Sequence, residues 1–261
     1  MRTITVTRYV TPLREGGSMP AVVEGDDLGL YVLKFRGAGQ GVRALLAEMI
    51  SGGIARALAL PVPEIVLAEL DPALAQTEPD PEIQDLVRAS GGLNVGLDYL
   101  SGALNFDPGV DEVSDDFASR LVWFDALVAN VDRTARNTNL LMWHRKPWLI
   151  DHGASLTFHH AWNGAVAQPA KAFAPIADHV LLHRATAIAQ VDAELAALLT
   201  REVITGILAE VPDEFLALAA AEHTEGPLAQ PASHRQAYVE HFCARLAGRE
   251  TWVKGAIDAR G

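Results

Sequence analysis

Residues 3–10 alternate apolar and polar side chains, the two-residue period of a half-buried strand. A glycine-bearing turn at 13–19 leads to a second apolar run at 21–24, and Gly25-Asp26-Asp27 marks another turn before a third run at 28–35. Such short loops predict three antiparallel neighbours. From Val42 the period changes: Leu45, Leu46, Met49, Ile50, Ile54 and Leu58 recur at helical spacing, predicting a helix over 42–60. Pro61 ends it, and 61–70 reads as a further strand. Between Gln76 and Asp85 there are four acids and two prolines, so 71–90 is expected to be a mobile surface excursion with room for a short helix in its upstream half.

Residues 91–100 then read as a passage between two lobes, one spanning 1–100 and the other 101–261. Ser114-Asp-Asp has the signature of a helix start, with early acids suited to the positive end of the dipole and Phe117, Leu121, Phe124 and Val128 along one face. Beyond Pro175 the chain is rich in Ala and Leu, with helical stretches expected at 179–187, 191–210, 212–222 and 234–247. The pattern as a whole predicts an α+β protein whose first lobe is a small antiparallel sheet with one helix and whose second is mainly helical.

With 261 residues, 49% of them hydrophobic, the chain is long enough to bury a substantial core. A formal net charge of −12 and scattered basic residues argue against a nucleic-acid partner or an anionic membrane surface. No apolar run reaches spanning length and the N-terminal strand pattern lacks the apolar stretch of a signal peptide, so a cytoplasmic protein is expected. Cys243 is the sole cysteine and reads as a small half-buried helix residue, which rules out an internal disulfide. His179 and His183, four apart, read as histidines on a helix surface rather than a zinc pair. The five tryptophans lack the basic interleaving of a nucleic-acid surface and read as packing residues.

The densest chemistry lies between Ala129 and Gly153. Moving a phosphoryl group needs a carboxylate at the acceptor hydroxyl and hard oxygen ligands for Mg²⁺. Asp132 suits the first role; Asn137, five residues on, and Asp151, fourteen further, suit the second. Residues 139–143 and 147–150 are apolar and flank a His144-Arg-Lys turn, so a hairpin between them would return Asp151 to the side of Asn137. Lys34 stands among Val32, Leu33 and Phe35, where a buried ammonium needs an anionic partner; Glu48 and a phosphate are both candidates.

In this order, Lys34, Glu48, Asp132, Asn137 and Asp151-His-Gly resemble the motifs of the HipA-like kinase group, distant relatives of protein kinases and of phosphatidylinositol 3- and 4-kinases. The resemblance implies a two-lobed protein-kinase-like fold that transfers the γ-phosphoryl group of ATP to a hydroxyl, that of a protein serine or threonine. It also implies roles: Asp132 orienting the acceptor and taking its proton, Asn137 and Asp151 holding Mg²⁺, and Lys34 touching the nucleotide phosphates with Glu48 as its partner. Gly16-Gly17-Ser18 would let backbone N–H groups approach the phosphates, and either Arg133 or Arg136 would place a cation near the transferred group. Asn130-Val-Asp replaces the His-Arg-Asp of ordinary protein kinases, and Asp-His-Gly replaces Asp-Phe-Gly. A small-molecule acceptor, or an inactive pseudokinase serving as a binding module, are the alternative readings.

Overall fold

A computed structural model of the chain describes residues 1–13, 19–39, 41–162, 170–221, 226 and 228–261. Strands β1 (Thr3–Pro12), β2 (Ala21–Gly25) and β3 (Leu30–Lys34) form the expected antiparallel succession. In β1, alternation turns Ile4 and Val6 into the barrel interior and leaves Thr3 and Thr5 outside. Helix α1 (Val42–Ala57) follows and stops short of the expected residue 60, because Ala59 turns left-handed at φ 57° ahead of Pro61.

Strand β4 (Ile65–Leu70) pairs parallel to β1, with Thr3 opposite Leu67. This closes a five-stranded barrel in the order β1-β2-β3-β5-β4, which no purely antiparallel sheet of this chain would give. The closing member is β5 (Gly92–Asp98), so the segment expected to connect two lobes is instead hydrogen-bonded on both edges, to β3 and to β4. Two polar-looking residues hid it. Asn94 is fully buried, its amide donating to the carbonyls of Ser90 and Gly92 at 2.8 Å each while its oxygen accepts from the Arg36 N–H. Gly96 lies so close to Val66 that a Cβ there would sit 3.0 Å from its Cγ2.

Residues 71–90 carry regular structure: a short 3-10 helix (Pro72–Thr77) occupies the upstream half, where a short helix was expected, and α2 (Pro81–Ala89) follows. Helix α2, in the downstream half, was not expected; it is started by an Asp80 cap on the Glu82 N–H and by Pro81 at its first position. Ile83 and Val87 join the apolar cluster of the barrel.

After the short β6 (Leu104–Asn105), helix α3 (Asp115–Val128) starts on the Ser114 cap as its sequence predicts. The hairpin β7 (Leu140–Trp143) and β8 (Lys146–Leu149) is formed, with Leu140 opposite Leu149. Residues 179–187 contain only a short 3-10 turn (Leu182–Arg184), and the helix expected over 191–210 is two, α4 (Ile188–Leu198) and α5 (Arg201–Ala209), parted where Thr200 caps α5. Helix α6 (Asp213–Ala220) and α7 (Pro231–Ala247) match expected stretches, and α8 (Arg249–Arg260) adds Trp252, packed edge-on against Trp123 of α3 at 5.2 Å. Cys243 is half-buried on α7, and burial pushes its thiol up, away from the reactive thiolate. Among the described residues, no helix is long and apolar enough to cross a membrane.

The barrel interior forms one apolar cluster, whereas α1 belongs to a second that runs without interruption through α3 to α8. Helix α1 is therefore surrounded on almost every side, and Glu48, a charged residue in its middle, has no exposed surface.

Candidate active site

Helix α3 ends at Ala129 in the left-handed region, φ 52°, and the following loop is tied back onto the helix. Asn130 donates from its amide to Asp125 Oδ1 at 3.0 Å and accepts the Asp132 N–H on its own oxygen at 3.0 Å. Arg133 Nε donates to Asp125 Oδ2 at 2.6 Å, and His179 Nε2 donates to the same oxygen at 2.9 Å. The Leu181 N–H donates to His179 Nδ1, which leaves the ring hydrogen on Nε2. Burial alone would raise the Asp125 carboxyl, but the Arg133 charge and the His179 hydrogen bond overcome it and hold the pKa at about 2.

This network narrows one expectation and corrects another. Arg133 is 1% exposed and committed to Asp125 and to the Asn139 carbonyl, so it anchors the loop rather than facing a phosphate; of the two arginines only Arg136 is exposed. His179 lies in a bridge with Thr134 and is buried, not on a helix surface, while His183 is exposed.

Asp132, half-buried, receives the Asn137 amide on Oδ2 at 2.8 Å and the Asn139 amide on the same oxygen at 3.2 Å. The backbone oxygen of Asn139 accepts from Ile150 N–H at 3.1 Å, adding a rung to the hairpin and setting Asp151 at the same end as Asn137. Asp151 itself sits at φ 55°.

Lys34 at the end of β3 donates to Glu48 Oε2 at 2.6 Å and to Asp151 Oδ1 at 2.5 Å. Burial works against its charge, yet the two carboxylates outweigh that and push the amine above its ordinary value. Glu48 shows the converse: burial would raise it, and Lys34 together with His152 draws it well below the carboxylate range. His152 binds Glu48 twice, backbone N–H to Oε2 at 2.8 Å and ring Nδ1 to Oε1 at 3.1 Å.

The residues singled out in the sequence thus fall in two bonded groups, Lys34 with Glu48 and Asp151, and Asp132 with Asn137, joined through Asn139 at the hairpin base. Gly16, Gly17 and Ser18 lie outside the described residues. Sequence reading missed Asp125, Asn130, Asn139 and the bonding of His152. For Asp125 a signal existed, an acid on the apolar run of α3, but its partners His179 and Arg133 are distant or adjacent to a more conspicuous acid.

A barrel-plus-helix lobe whose strand lysine is held by a helix glutamate, set against a helical lobe bearing an Asp-x-x-x-x-Asn loop and an acid-ended hairpin, defines a protein-kinase-like fold, and the protein is a kinase. A family model described as HipA-like kinase matches residues 6–248, and the chain belongs to that family. Among solved structures it is similar to a Helicobacter pylori proinflammatory kinase, CtkA, at 12% identity and a TM-score of 0.51, over 99% of this chain and 98% of that one. It is also similar to a Golgi casein kinase with Mn/ADP bound, at 11% identity and a TM-score of 0.48, over 100% of this chain and 75% of that one. No match was found among curated proteins.

Proposed function

We propose that this kinase transfers the γ-phosphoryl group of ATP, with Mg²⁺, to the hydroxyl of a protein serine or threonine. The observation that carries the reading is the Lys34 ammonium, held at 2.6 Å by a helix carboxylate and at 2.5 Å by the acid that ends the hairpin. A cation so placed meets nucleotide phosphates at the junction of strand, helix and hairpin. Asn137 and Asp151 would hold the metal: with the Asn137 Nδ2 committed to Asp132, its amide oxygen is the atom left for a hard cation. Mg²⁺, when bound, neutralises charge developing on the phosphates. Asp132, steadied by Asn137 and Asn139, orients the acceptor hydroxyl and takes its proton.

Transfer of labelled phosphate from γ-labelled ATP to a protein acceptor tests the reading. Asp132→Ala should cut turnover by about 100-fold or more while leaving Mg²⁺-dependent nucleotide binding intact. Wild-type protein that binds MgATP but transfers nothing would point instead to a binding module, and unchanged turnover in Asp132→Ala would remove Asp132 from the mechanism.

A further inference from the structure

We propose that His152 is a positioning residue: it fixes Glu48, and through Glu48 the Lys34 ammonium, in the arrangement that receives phosphate. The inference deepens the functional reading above and rests on it. Glu48 Oε2 has two donors, the Lys34 amine and the His152 backbone N–H. Glu48 Oε1 has one among the described residues, the His152 ring at 3.1 Å. A carboxylate with no exposed surface needs donors on both oxygens, because an unsatisfied buried acceptor is costly and leaves its side chain free to turn away.

The far side of the ring strengthens the argument. His152 is fully buried, with Phe124 edge-on at 5.8 Å, and its Nε2 has no partner among the described residues. An apolar ring would fill this space with no orphan nitrogen. The imidazole therefore brings a polar penalty at Nε2 that only the bond at Nδ1 offsets. An ionised carboxylate only accepts, so Nδ1 carries the hydrogen.

Asp151 and His152 are consecutive, and they grip opposite members of one ion pair: Asp151 takes the Lys34 amine and His152 takes the Glu48 carboxylate. The hairpin end thereby holds a strand of the barrel and the middle of α1 in a single register. A phenylalanine at 152 would keep the backbone bond and the apolar contact but release Oε1.

Binding of Mg²⁺ with a non-hydrolysable ATP analogue, measured by calorimetry on wild type, His152→Phe, His152→Asn and the same changes in a Glu48→Ala background, tests this. His152→Phe should bind the analogue about tenfold more weakly, the scale of one hydrogen bond to a buried charge. His152→Asn, whose amide nitrogen reaches the place of Nδ1, should recover most of the affinity. In the Glu48→Ala background, His152→Phe should add no further loss. The proposal is overturned if His152→Phe binds as wild type does, if His152→Asn is no better than His152→Phe, or if the loss is undiminished without Glu48. Absence of binding by wild type would overturn the nucleotide-site reading and this proposal with it; normal binding by wild type and His152→Phe alike would overturn this proposal alone.

Discussion

Lys34 and Glu48 show how strongly a single pair can bind stability to function. Glu48 lies in the middle of α1 with 0% of its side chain exposed, so its charge is tolerated only because an amine and a histidine face it. Lys34→Met leaves that carboxylate without its counter-charge, a change that typically costs about 3 kcal/mol. Urea denaturation should show this loss, and Lys34→Met combined with Glu48→Gln should lose less than the sum of the two, since the second change removes the stranded charge. Arg133 makes a second residue-scale case, because its guanidinium holds the Asn139 carbonyl while the Asn139 amide holds Asp132. Arg133→Lys keeps the charge beside Asp125 but cannot reproduce the fork. We expect it to lower phosphoryl transfer at least tenfold (about 1.4 kcal/mol) with little change in nucleotide affinity, a split that steady-state kinetics resolves.

At the scale of elements, α1 is the piece that carries Glu48 to Lys34 and His152, and its seating explains an otherwise poor helix sequence. Gly52 and Gly53 each cost a helix interior roughly 1 kcal/mol relative to alanine. At Gly53 the reason is proximity: an added Cβ would lie 2.6 Å from Ile207 Cγ2, on a β-branched α5 side chain whose χ1 is restricted within a helix. Gly53→Ala, a gain by propensity alone, should therefore lower the melting temperature and weaken nucleotide binding by shifting α1 away from α5. A variant with an unchanged or higher melting temperature would show that Ile207 yields. Helix α3 was legible from local sequence, from Ser114 and its two following acids, because a cap is a contact within four residues. Strand β5 was not, because its burial comes from two strands that flank it in space, and the same surroundings conceal a buried asparagine and a glycine.

For the whole molecule, one apolar cluster joins α1, together with Ile65, Val95 and Leu97 of the barrel strands, to helices α3 to α8, so the division after residue 100, which we propose as the change from sheet lobe to helical lobe, is not a division of the core. We expect one cooperative unfolding transition by calorimetry; two resolved transitions would refute this. Acid sensitivity is a further global property. His159, buried against the Tyr238 hydroxyl at 2.9 Å, is held by burial at a pKa of about 3, and His241, stacked on Phe158 at 3.8 Å, at about 4. Both lie below the ordinary value of 6.5, so the unfolded chain binds more protons between the two limits and stability falls as pH drops from about 6.5 toward 4. Asp125, held near 2 against an ordinary 3.8, contributes stability above pH 4 and loses it only below that. Denaturation at pH 7, 6 and 5 should show the decline above the range in which most carboxylates titrate, and His159→Asn should flatten it.

By itself the sequence determined the chemistry that fits within a short stretch: the Asp132 to Asn137 spacing, the hairpin that returns Asp151, the lysine in an apolar strand, and the change of period that makes α1. Each rests on neighbours a few residues apart, whose geometry follows from backbone period and turn. The tertiary structure alone decided that the sheet closes through a parallel pair, that Arg133 is an anchor, and that His152 meets Glu48 across 104 residues of chain. Such partners carry no local signature, because burial and pairing are properties of what packs alongside, and a histidine next to an acid looks the same in sequence whether it faces solvent or a buried carboxylate.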